Sequence, residues 1–423
     1  MTQLPNPPPP NPVALVGIDW ADQTHAVCLS SATATEPEQF TIQHTPEALA
    51  EFVAQLRTRF GGQPVALALE QTRGGLIYAL MAHEFLILYP INPATAKRYR
   101  DAFAPSGAKD DPPDARLLWD LLRKHREQFQ PWQPDEVSTR QLALLCEHRR
   151  GLVNQQTRLV QQLRAALKMY FPQALAWTGQ NLATSMATDW LRKWPTLTAL
   201  QAAQPATIRA FYYAHRCRRP DLIQERLTAI QAARPLTQDR AVIEAHALRV
   251  QVLAQQLRAL LPALGQYDRA IATLTATHPD APVFASFPGA GACLTPRLIA
   301  AFGTRRERFP QATAMQCFSG IAPVTRRSGQ FKRVARRYAC PKFVLQTFHE
   351  YARCSLRKCA WAQAEYKALR SRGQKHHAAL RALAFKWIRV MTRCWQERLP
   401  YDDARYTAAL RRHGSPLVAA VND

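Results

Sequence analysis

The sequence predicts an α/β domain in its first third, followed by long coiled-coil helices and a mostly helical carboxy-terminal part. Short apolar runs with β-branched residues alternate with an amphipathic helical segment before residue 130, as in α/β domains. Between residues 135 and 280, apolar residues repeat with heptad spacing. No apolar run approaches the roughly 18 residues that a membrane-spanning helix needs. The first residues also lack the basic region followed by an apolar one that is typical of a signal peptide, so we expect a cytoplasmic protein with no membrane partner.

The predicted α/β domain covers residues 13–130 and follows a proline-rich segment, residues 1–12, which we expect to be a disordered tail. Two of its strand-like runs end in an acidic residue, Asp19 and Glu70. A helical segment between them ends at two consecutive glycines. The sequence predicts strands at 13–18, 25–29, 64–69 and 85–88 and a helix at 46–60.

A linker at 131–134 precedes a predicted helical segment at 135–280, with a tryptophan-containing helical insertion at 171–235. Pro262 lies inside the most regular part and is expected to kink or break the helix. Heptads do not reveal which chain supplies the partner helix, so an intramolecular hairpin and a dimerisation stalk are equally open. The seam consists of Val250, Leu253, Leu257, Leu260, Leu264, Tyr267, Ile271 and Leu274.

Charge is the strongest bulk signal in the sequence, with 55 Lys and Arg against 31 Asp and Glu, a net charge of +24. The excess is concentrated in residues 281–423, which hold 26 basic and 7 acidic residues, whereas residues 1–134 hold 11 and 14. Such a surface needs anions to neutralise it, and we expect nucleic acid as the partner. We assign 281–400 to a basic domain and 401–423 to a tail.

Two smaller features concern glycines and cysteines. Gly289 and Gly291 lie in a turn between short helices, as in helix-hairpin-helix elements whose backbone N–H groups can hold a phosphate, although an ordinary turn is the alternative. Nine cysteines without a CxxC pair predict reduced, buried thiols and no zinc site.

Four carboxylates are candidates for holding divalent cations. Asp19 and Glu70 each end an apolar run, and Asp111 and Asp114 open a helix on one face. Phosphodiester chemistry with hard cations needs several carboxylates from different elements. Singly, Asp19 could be a turn residue and Asp111 a helix cap, whereas a buried Glu70 is costly without a partner. Three acidic neighbours, Asp22, Asp101 and Asp110, could replace one of the four as a ligand.

Three segments of the first third carry a resemblance to a known family: VGIDWADQTHAVCL, ALEQTRGG and KDDPPDARLL. Two segments near the other end, FPGAGACLTPRLIAAFG and RFPQATAMQCFSGIAPVTRRSG, carry it as well. Together they resemble the DEDD transposases of the insertion-sequence-110 family, also called bridge recombinases. ARRYACPKF (335–343) departs from the family, which has a glycine-containing basic turn there.

The resemblance implies an RNase H-like (RuvC-like) nuclease domain in which Asp19, Glu70, Asp111 and Asp114 bind Mg²⁺ or Mn²⁺. It also implies a carboxy-terminal transposase domain that contributes a nucleophilic serine, Ser328, to a composite site formed across subunits. The implied partners are double-stranded DNA at the element ends and target, a structured non-coding guide RNA, and further copies of the chain in a dimer or tetramer formed through the coiled coil. Such a protein would act at the bacterial nucleoid.

Ser328 is embedded in the basic segment TRRSGQFKRVARR. A serine hydroxyl is a weak nucleophile until it is activated, and cations must hold the phosphate that it attacks. The alternative is a Ser-Gly turn whose arginines contact phosphates without chemistry. Ser319 is the rival hydroxyl. The predicted phosphate contacts are Arg326, Arg327, Lys332, Arg333, Arg336 and Arg337.

Three functions are compatible with these residues. The first is a transposase that excises and inserts its element by strand exchange through a serine–DNA ester. The second is a RuvC-like nuclease or junction resolvase that hydrolyses DNA with metal-bound water and needs no serine. The third is a non-catalytic nucleic-acid scaffold, for which Glu70 would be dispensable.

Overall fold

A five-stranded mixed sheet with helices on both faces forms the first of two units, Met1–Pro134. The structure is a computed structural model that describes residues 10–70, 74–103, 111–329 and 331–415, and at 103, 111–113, 326 and 332 it describes the backbone only. Most of the predicted amino-terminal tail therefore lies outside the described residues. The second unit is Asp135–Asp423, so the boundary falls directly after the PWQP segment.

The elements of the first unit alternate between strand and helix after an initial three-stranded meander. The meander and the two later strands make a sheet of order β3-β2-β1-β4-β5. The strands are β1 Ala14–Asp19, β2 Thr24–Ser31, β3 Glu38–Gln43, β4 Val65–Leu69 and β5 Leu86–Pro90, and the helices are α1 Pro46–Arg59, α2 Gly75–Leu80, α3 Pro93–Phe103 and α4 Asp111–His125.

The strand directions follow from the connections between strands. Short turns join β1, β2 and β3, which are antiparallel, and helical crossovers lead to β4 and β5, which run parallel to β1. This order and mix of directions are consistent with the RNase H-like fold that the resemblance implies. The predicted strands β1, β2, β4 and β5 and the helix α1 are confirmed to within a few residues.

The strand β3 was not predicted, and its burial explains why. It is an edge strand with exposed and half-buried residues, and only Phe40 and Ile42 pack against the core. An edge strand buries little on either face, so its hydrophobic pattern is weak.

Over its described residues, the second unit is helical apart from one β-hairpin. Along the chain, a set of short helices lies between two long helices, α5 and α11, and seven further helices follow. The helices are α5 Val137–Tyr170, α6 Ala174–Trp177, α7 Ser185–Lys193, α8 Leu197–Gln201, α9 Pro205–Ala214, α10 Pro220–Ala232, α11 Arg240–Thr277, α12 Ala281–Ala285, α13 Gly291–Phe302, α14 Ala312–Phe318, α15 Lys342–Ser355, α16 Ala360–Ser371, α17 His376–Glu397 and α18 Asp403–Arg412, and the hairpin strands are β6 Val324–Ser328 and β7 Phe331–Ala335.

The predicted coiled-coil seam on α11 is occupied by the chain itself. Val250, Leu253 and Leu257 are buried in the same cluster as Leu159 and Leu163 of α5. The intramolecular hairpin therefore accounts for the seam. The region of the predicted insertion contains α6 to α10, which pack against the α5–α11 pair through buried tryptophans.

The structure corrects two expectations about the second unit in part. Pro262 does not break α11, which runs as one helix from Arg240 to Thr277, because the seam residues on both sides, Leu260 and Leu264, are buried against α5 and hold the helix together. The segment after residue 400 is not simply a tail, because it contains α18, and Tyr401 packs against buried Trp387 at a ring-centroid distance of 5.5 Å.

All nine cysteines are free, as predicted, but only Cys28, Cys146 and Cys359 are buried. Burial raises the pKa of Cys28 to about 11 and that of Cys146 to about 12, so both thiols stay protonated at neutral pH. Within the described ranges, no helix is long and apolar enough to cross a membrane.

Replacing Pro262 by alanine is expected to stabilise the protein. Proline costs up to about 3 kcal/mol more than alanine in a helix interior, because it lacks the N–H that would bond to the preceding turn. Pro262 is exposed, so the smaller side chain leaves no cavity. Thermal unfolding followed by circular dichroism should show a higher midpoint for Pro262→Ala. The control is Pro205→Ala in the first turn of α9, where the N–H has no helical acceptor, and an equal gain there would contradict this explanation.

Candidate functional site

Asp19 and Glu70 lie at neighbouring positions on the same edge of the sheet. The parallel strands β1 and β4 pair Ala14 with Val65 and continue in that register to Ile18 and Leu69. In both cases the next residue along the chain is acidic, Asp19 as the last residue of β1 and Glu70 directly after β4. Both are half-buried. The carboxyl ends of β1 and β4 therefore bring the two carboxylates to one place, as expected for acids that directly follow adjacent parallel strands.

The Asp19 carboxylate lies on the face of the sheet that α4 covers. Side chains alternate along a strand, and Leu15 and Ala68 pack in the cluster formed with α4. Asp19 follows Leu15 by four positions on β1, so its side chain returns to that face, and Glu70 directly follows the last residue of β4, Leu69. The antiparallel partner of Asp19, Ala26 on β2, belongs to the same cluster.

Helix α4 runs antiparallel to β1, so that its amino end lies at the acidic edge of the sheet. Its beginning and middle pack on Gly17, and the indole of Trp119 donates to Ser30 Oγ at 2.9 Å on β2. Just beyond the helix, Arg126 donates to Asn11 Oδ1 at 3.1 Å, before the start of β1. The first residues of α4 therefore lie towards the carboxyl end of β1.

Gly17 makes this arrangement possible because it allows backbone to touch backbone. A Cβ atom at Gly17 would lie 2.2 Å from the carbonyl oxygen of Ala115 and 2.5 Å from the backbone nitrogen of Trp119. Any side chain would push α4 away from β1. The sequence did contain this signal, as a glycine inside an apolar strand, which often marks a close approach of another backbone.

Asp114 is buried and ion-paired at the amino end of α4. It is 6% exposed, and its Oδ1 lies 2.5 Å from Nη2 of Arg100 on α3. A buried carboxylate needs such a partner, whether an arginine or a metal ion. Asp111 is the first residue of α4, and its side chain lies outside the described part of the structure, as does Asp110. The acidic neighbours Asp22 and Asp101 are exposed.

We call Asp19, Glu70, Asp114 and the start of α4 at Asp111 the acidic edge. Its donors are carboxylate oxygens from two strands and a helix, which is the ligand type that Mg²⁺ and Mn²⁺ prefer. Among the described side chains, no group of three or more His, Cys, Asp or Glu residues is close enough together to hold a metal ion. The chemistry of the edge fits a hard cation.

His25 packs on the opposite face of the sheet. It precedes Ala26 on β2 and is fully buried, with its Nε2 2.9 Å from Nδ1 of His44 and its Nδ1 accepting from the backbone N–H of Ala21. Burial and the neighbouring His44 lower the pKa of His25. A neutral histidine with these partners has a packing role.

Ser328 lies at the tip of the hairpin formed by β6 and β7. It is the last residue of β6 and pairs across with Phe331, and Gly329 in the turn has a φ of +55°, which favours glycine. Ser328 is exposed. The rival Ser319 is fully buried and its hydroxyl donates to the carbonyl of Gln316, so it has a structural role.

The hairpin has two faces, and they separate the basic residues. Cross-strand partners share a face, so Phe331 and, two residues on, Arg333 lie on the face of Ser328, whereas Arg327 lies on the other. Both arginines are exposed. The side chains of Arg326 and Lys332 lie outside the described part of the structure. The hairpin as a whole was not predicted, although apolar residues flank the Ser-Gly turn on both strands.

The remaining predicted contacts differ in environment. Arg336 is exposed and lies over the ring of Tyr338 at 5.6 Å, and Arg337 is half-buried beside Cys317. A Cβ atom at Gly289 would lie 2.9 Å from the carbonyl oxygen of Cys354, so packing alone explains that glycine. Gly291 begins α13 and faces open space, so of the two glycines it is the one available to a ligand.

Comparison with known proteins identifies relatives over nearly the whole chain. A family model of DEDD transposases of IS110 elements, described as a transposase, matches residues 16–172, and a model described as the transposase IS116/IS110/IS902 family matches residues 281–367. The two matches together cover more than half of the chain.

Individual relatives agree with the family models. The "Mini-circle putative transposase for IS117" of Streptomyces coelicolor is 29% identical over 400 residues, 93% of this chain and 96% of the relative. The uncharacterized 42 kDa protein of insertion element IS900 from Mycobacterium paratuberculosis is 26% identical over 93% of this chain and 98% of its own length. The matches therefore include both units.

A substitution at Gly17 tests the packing that assembles the acidic edge. Gly17→Ala places a methyl group against the backbone of α4 and should destabilise the protein by about 1–3 kcal/mol or more, the usual cost of overpacking. The measurement is the thermal unfolding midpoint.

Gly151→Ala is the matched control for Gly17→Ala. Gly151 lies inside α5, where a Cβ atom would meet nothing within 4 Å, so alanine should be neutral or stabilising there. A Gly17→Ala protein as stable as the wild type would show that α4 does not depend on the contact.

Proposed function

We infer, from the premise that the chain belongs to the IS110 family of transposases, that it cleaves and rejoins DNA strands to move its own element. The observation that carries the proposal is the shared register of β1 and β4, which brings Asp19 and Glu70 to the sheet edge where α4 brings Asp114. Carboxylates from different elements at one edge are what metal-dependent phosphodiester chemistry requires. The non-catalytic scaffold has no use for them.

The acidic edge is proposed to hold Mg²⁺ or Mn²⁺ through Asp19, Glu70, Asp111 and Asp114. A cation bound there would neutralise charge on the attacking and leaving oxygens of the phosphodiester. The protein's own contribution is to hold the carboxylates in place, through the β1–β4 pairing and the contact between Gly17 and α4.

Ser328 is proposed to be the nucleophile. Its Oγ would form a bond to phosphorus while the bond between phosphorus and one strand's oxygen breaks, and the proton lost by serine balances the one gained by the leaving oxygen. The resulting ester conserves the bond for rejoining, when a DNA hydroxyl attacks it and restores the serine. The exposure of Ser328 at a hairpin tip supports this role, because a nucleophile must reach a strand of DNA.

The basic residues around Ser328 are proposed to grip the nucleic-acid backbone. Arg333 shares the face of Ser328, so its guanidinium is suited to holding the phosphate under attack, whereas Arg327 would hold a phosphate away from the reaction. Arg336, Arg337 and the backbone N–H groups at Gly291 would extend the contact. These residues would contact the phosphates of the nucleic acid and would not distinguish its base sequence.

Sequence specificity is proposed to come from a structured guide RNA, as the resemblance implies. The partner DNA would be the element ends and the target, recognised by pairing with the RNA, which leaves the protein to bind the backbones. We also propose a dimer or tetramer that completes composite sites. Because the seam of α11 is buried against α5, the contact between copies would use another face of the helix pair, where Leu248 and Val252 of α11 are 64% and 48% exposed.

Replacing Ser328 by alanine should abolish a covalent protein–DNA adduct. The assay combines the protein with DNA carrying the element ends, the RNA transcribed beside the gene, and Mg²⁺, and separates protease-sensitive adducts on a denaturing gel. Asp19→Asn and Glu70→Gln should lose the adduct too, because the cation assists the attack. Ser319→Ala should keep it, since Ser319 is buried.

The same gel separates the alternative function. Cleaved DNA without an adduct, produced equally by wild type and Ser328→Ala, would establish a hydrolytic nuclease or junction resolvase that needs only the acids. If the wild type and all variants bind DNA and none of them cleaves it, the protein is a non-catalytic nucleic-acid scaffold.

The two faces of the hairpin should behave differently when their arginines are removed. Arg333→Gln should lower the rate of adduct formation about 10- to 100-fold at saturating DNA, because it removes a charge at the reacting phosphate. Arg327→Gln should weaken binding and reduce the slope of log affinity against log salt by about 1, with little effect on the rate at saturation. Equal effects of both variants on rate would contradict the assignment of faces.

A further inference from the structure

Arg100 is an arginine inside the acidic edge that the sequence did not single out. It lies on α3, and its Nη2 is 2.5 Å from Oδ1 of Asp114. The Asp114 side chain is 9% exposed and that of Arg100 21% exposed, so the ion pair is largely removed from water. Screening by salt is weaker for such a pair than for an exposed one.

A second contact joins the same two helices independently of this pair. The hydroxyl of Tyr99 donates to Oδ2 of Asp120 on α4 at 2.7 Å. Asp120 also pairs with Lys124 at 2.8 Å on its own helix. Helix α3 is therefore fastened to α4 next to Arg100 whether or not Arg100 contacts Asp114, so the guanidinium can let go without releasing the helix.

The hydrogen bonding of Arg100 is incomplete. Its Nε is buried and has no hydrogen-bond partner within the described part of the structure. A buried donor without an acceptor is unfavourable, and a guanidinium that binds a carboxylate through one nitrogen lacks the strength of a two-pronged pair. Arg100 therefore neutralises Asp114 while being held less firmly than a fully bonded arginine.

We propose that Arg100 is the resident counter-cation of Asp114, and that a divalent cation must displace it to use that carboxylate. The inference rests on the proposed function, because it takes Asp114 to be a metal ligand. Arg100 stabilises the acidic edge when no metal is bound, by giving a buried carboxylate its partner. It opposes metal binding, because it occupies Oδ1 and adds a positive charge next to the incoming cation.

The ion pair between Arg100 and Asp114 couples metal binding to the position of the Arg100 side chain. When the cation is bound, Arg100 no longer contacts Asp114. It then lies next to the acidic edge on α3, whose exposed residues include Lys97 and Arg98. Metal loading thus changes where the positive charge of α3 is available. Arg100 is a positioning residue, since it acts through Asp114.

The test is Mn²⁺ binding to the full-length protein, measured by titration calorimetry without nucleic acid. Arg100→Gln should bind Mn²⁺ about tenfold more tightly than the wild type, because a competing charge is removed. Arg100→Lys keeps the charge and should remain close to the wild type. Arg98→Gln is the matched control, since Arg98 is exposed two residues away and its loss changes the net charge equally.

Thermal unfolding gives a second readout that does not depend on catalysis. Without metal, Arg100→Gln should melt at a lower temperature than the wild type, because Asp114 loses its partner. Saturating Mn²⁺ should raise its melting temperature by more than it raises that of the wild type or of Arg98→Gln. Equal or weaker Mn²⁺ binding by Arg100→Gln would overturn the proposal.

Asp19→Asn distinguishes the failure of this inference from the failure of the proposed function. If the wild type binds Mn²⁺, Asp19→Asn does not, and Arg100→Gln matches the wild type, then the metal site stands and Arg100 does not compete for it. If Asp19→Asn binds Mn²⁺ as well as the wild type does, the acidic edge is not the metal site, and both proposals fall.

Discussion

The contact between the backbone of α4 and the backbone of β1 at Gly17 is the constraint on which the acidic edge depends. Strand pairing alone brings Asp19 and Glu70 together, but a third carboxylate has to arrive from outside the sheet. It can do so only if the helix that carries it lies directly on the strand, and the missing side chain at Gly17 permits this. The antiparallel course of α4 then sets which end of the helix reaches the acids.

Much of this edge could be predicted from the sequence because the signals are local. An acidic residue that directly follows a buried strand stands out, as do Asp19 and Glu70, and two acids three residues apart at a helix start share a face. The partner of Asp114 could not be predicted. Arg100 lies on a helix with no clear apolar pattern, and its approach to Asp114 depends on how α3 packs on α4, which no local pattern encodes.

The second unit shows the same limit for a periodic signal. The heptad seam of α11 predicts a helical partner but does not say which helix it is. In the structure the partner is α5 of the same chain, and the short helices between α5 and α11 pack into the same buried cluster as the two long helices. The continuity of α11 through Pro262 has a related reason. A proline costs a helix a hydrogen bond, and whether the helix survives depends on the packing on either side, which lies outside the local sequence.

The hairpin that carries Ser328 is unusual for a folded protein surface, and its composition argues for a nucleic-acid partner. A two-stranded ribbon is marginally stable alone, and this one exposes Phe331 and Val334 by 65% and 59%. Contact with water is unfavourable for the exposed apolar side chains, and contact with an apolar protein surface is unfavourable for the arginines between them. Phosphates would neutralise the arginines, and bases could cover the apolar side chains, so one ligand satisfies both. The same exposure would let Ser328 reach a strand of DNA, as its proposed role as a nucleophile requires.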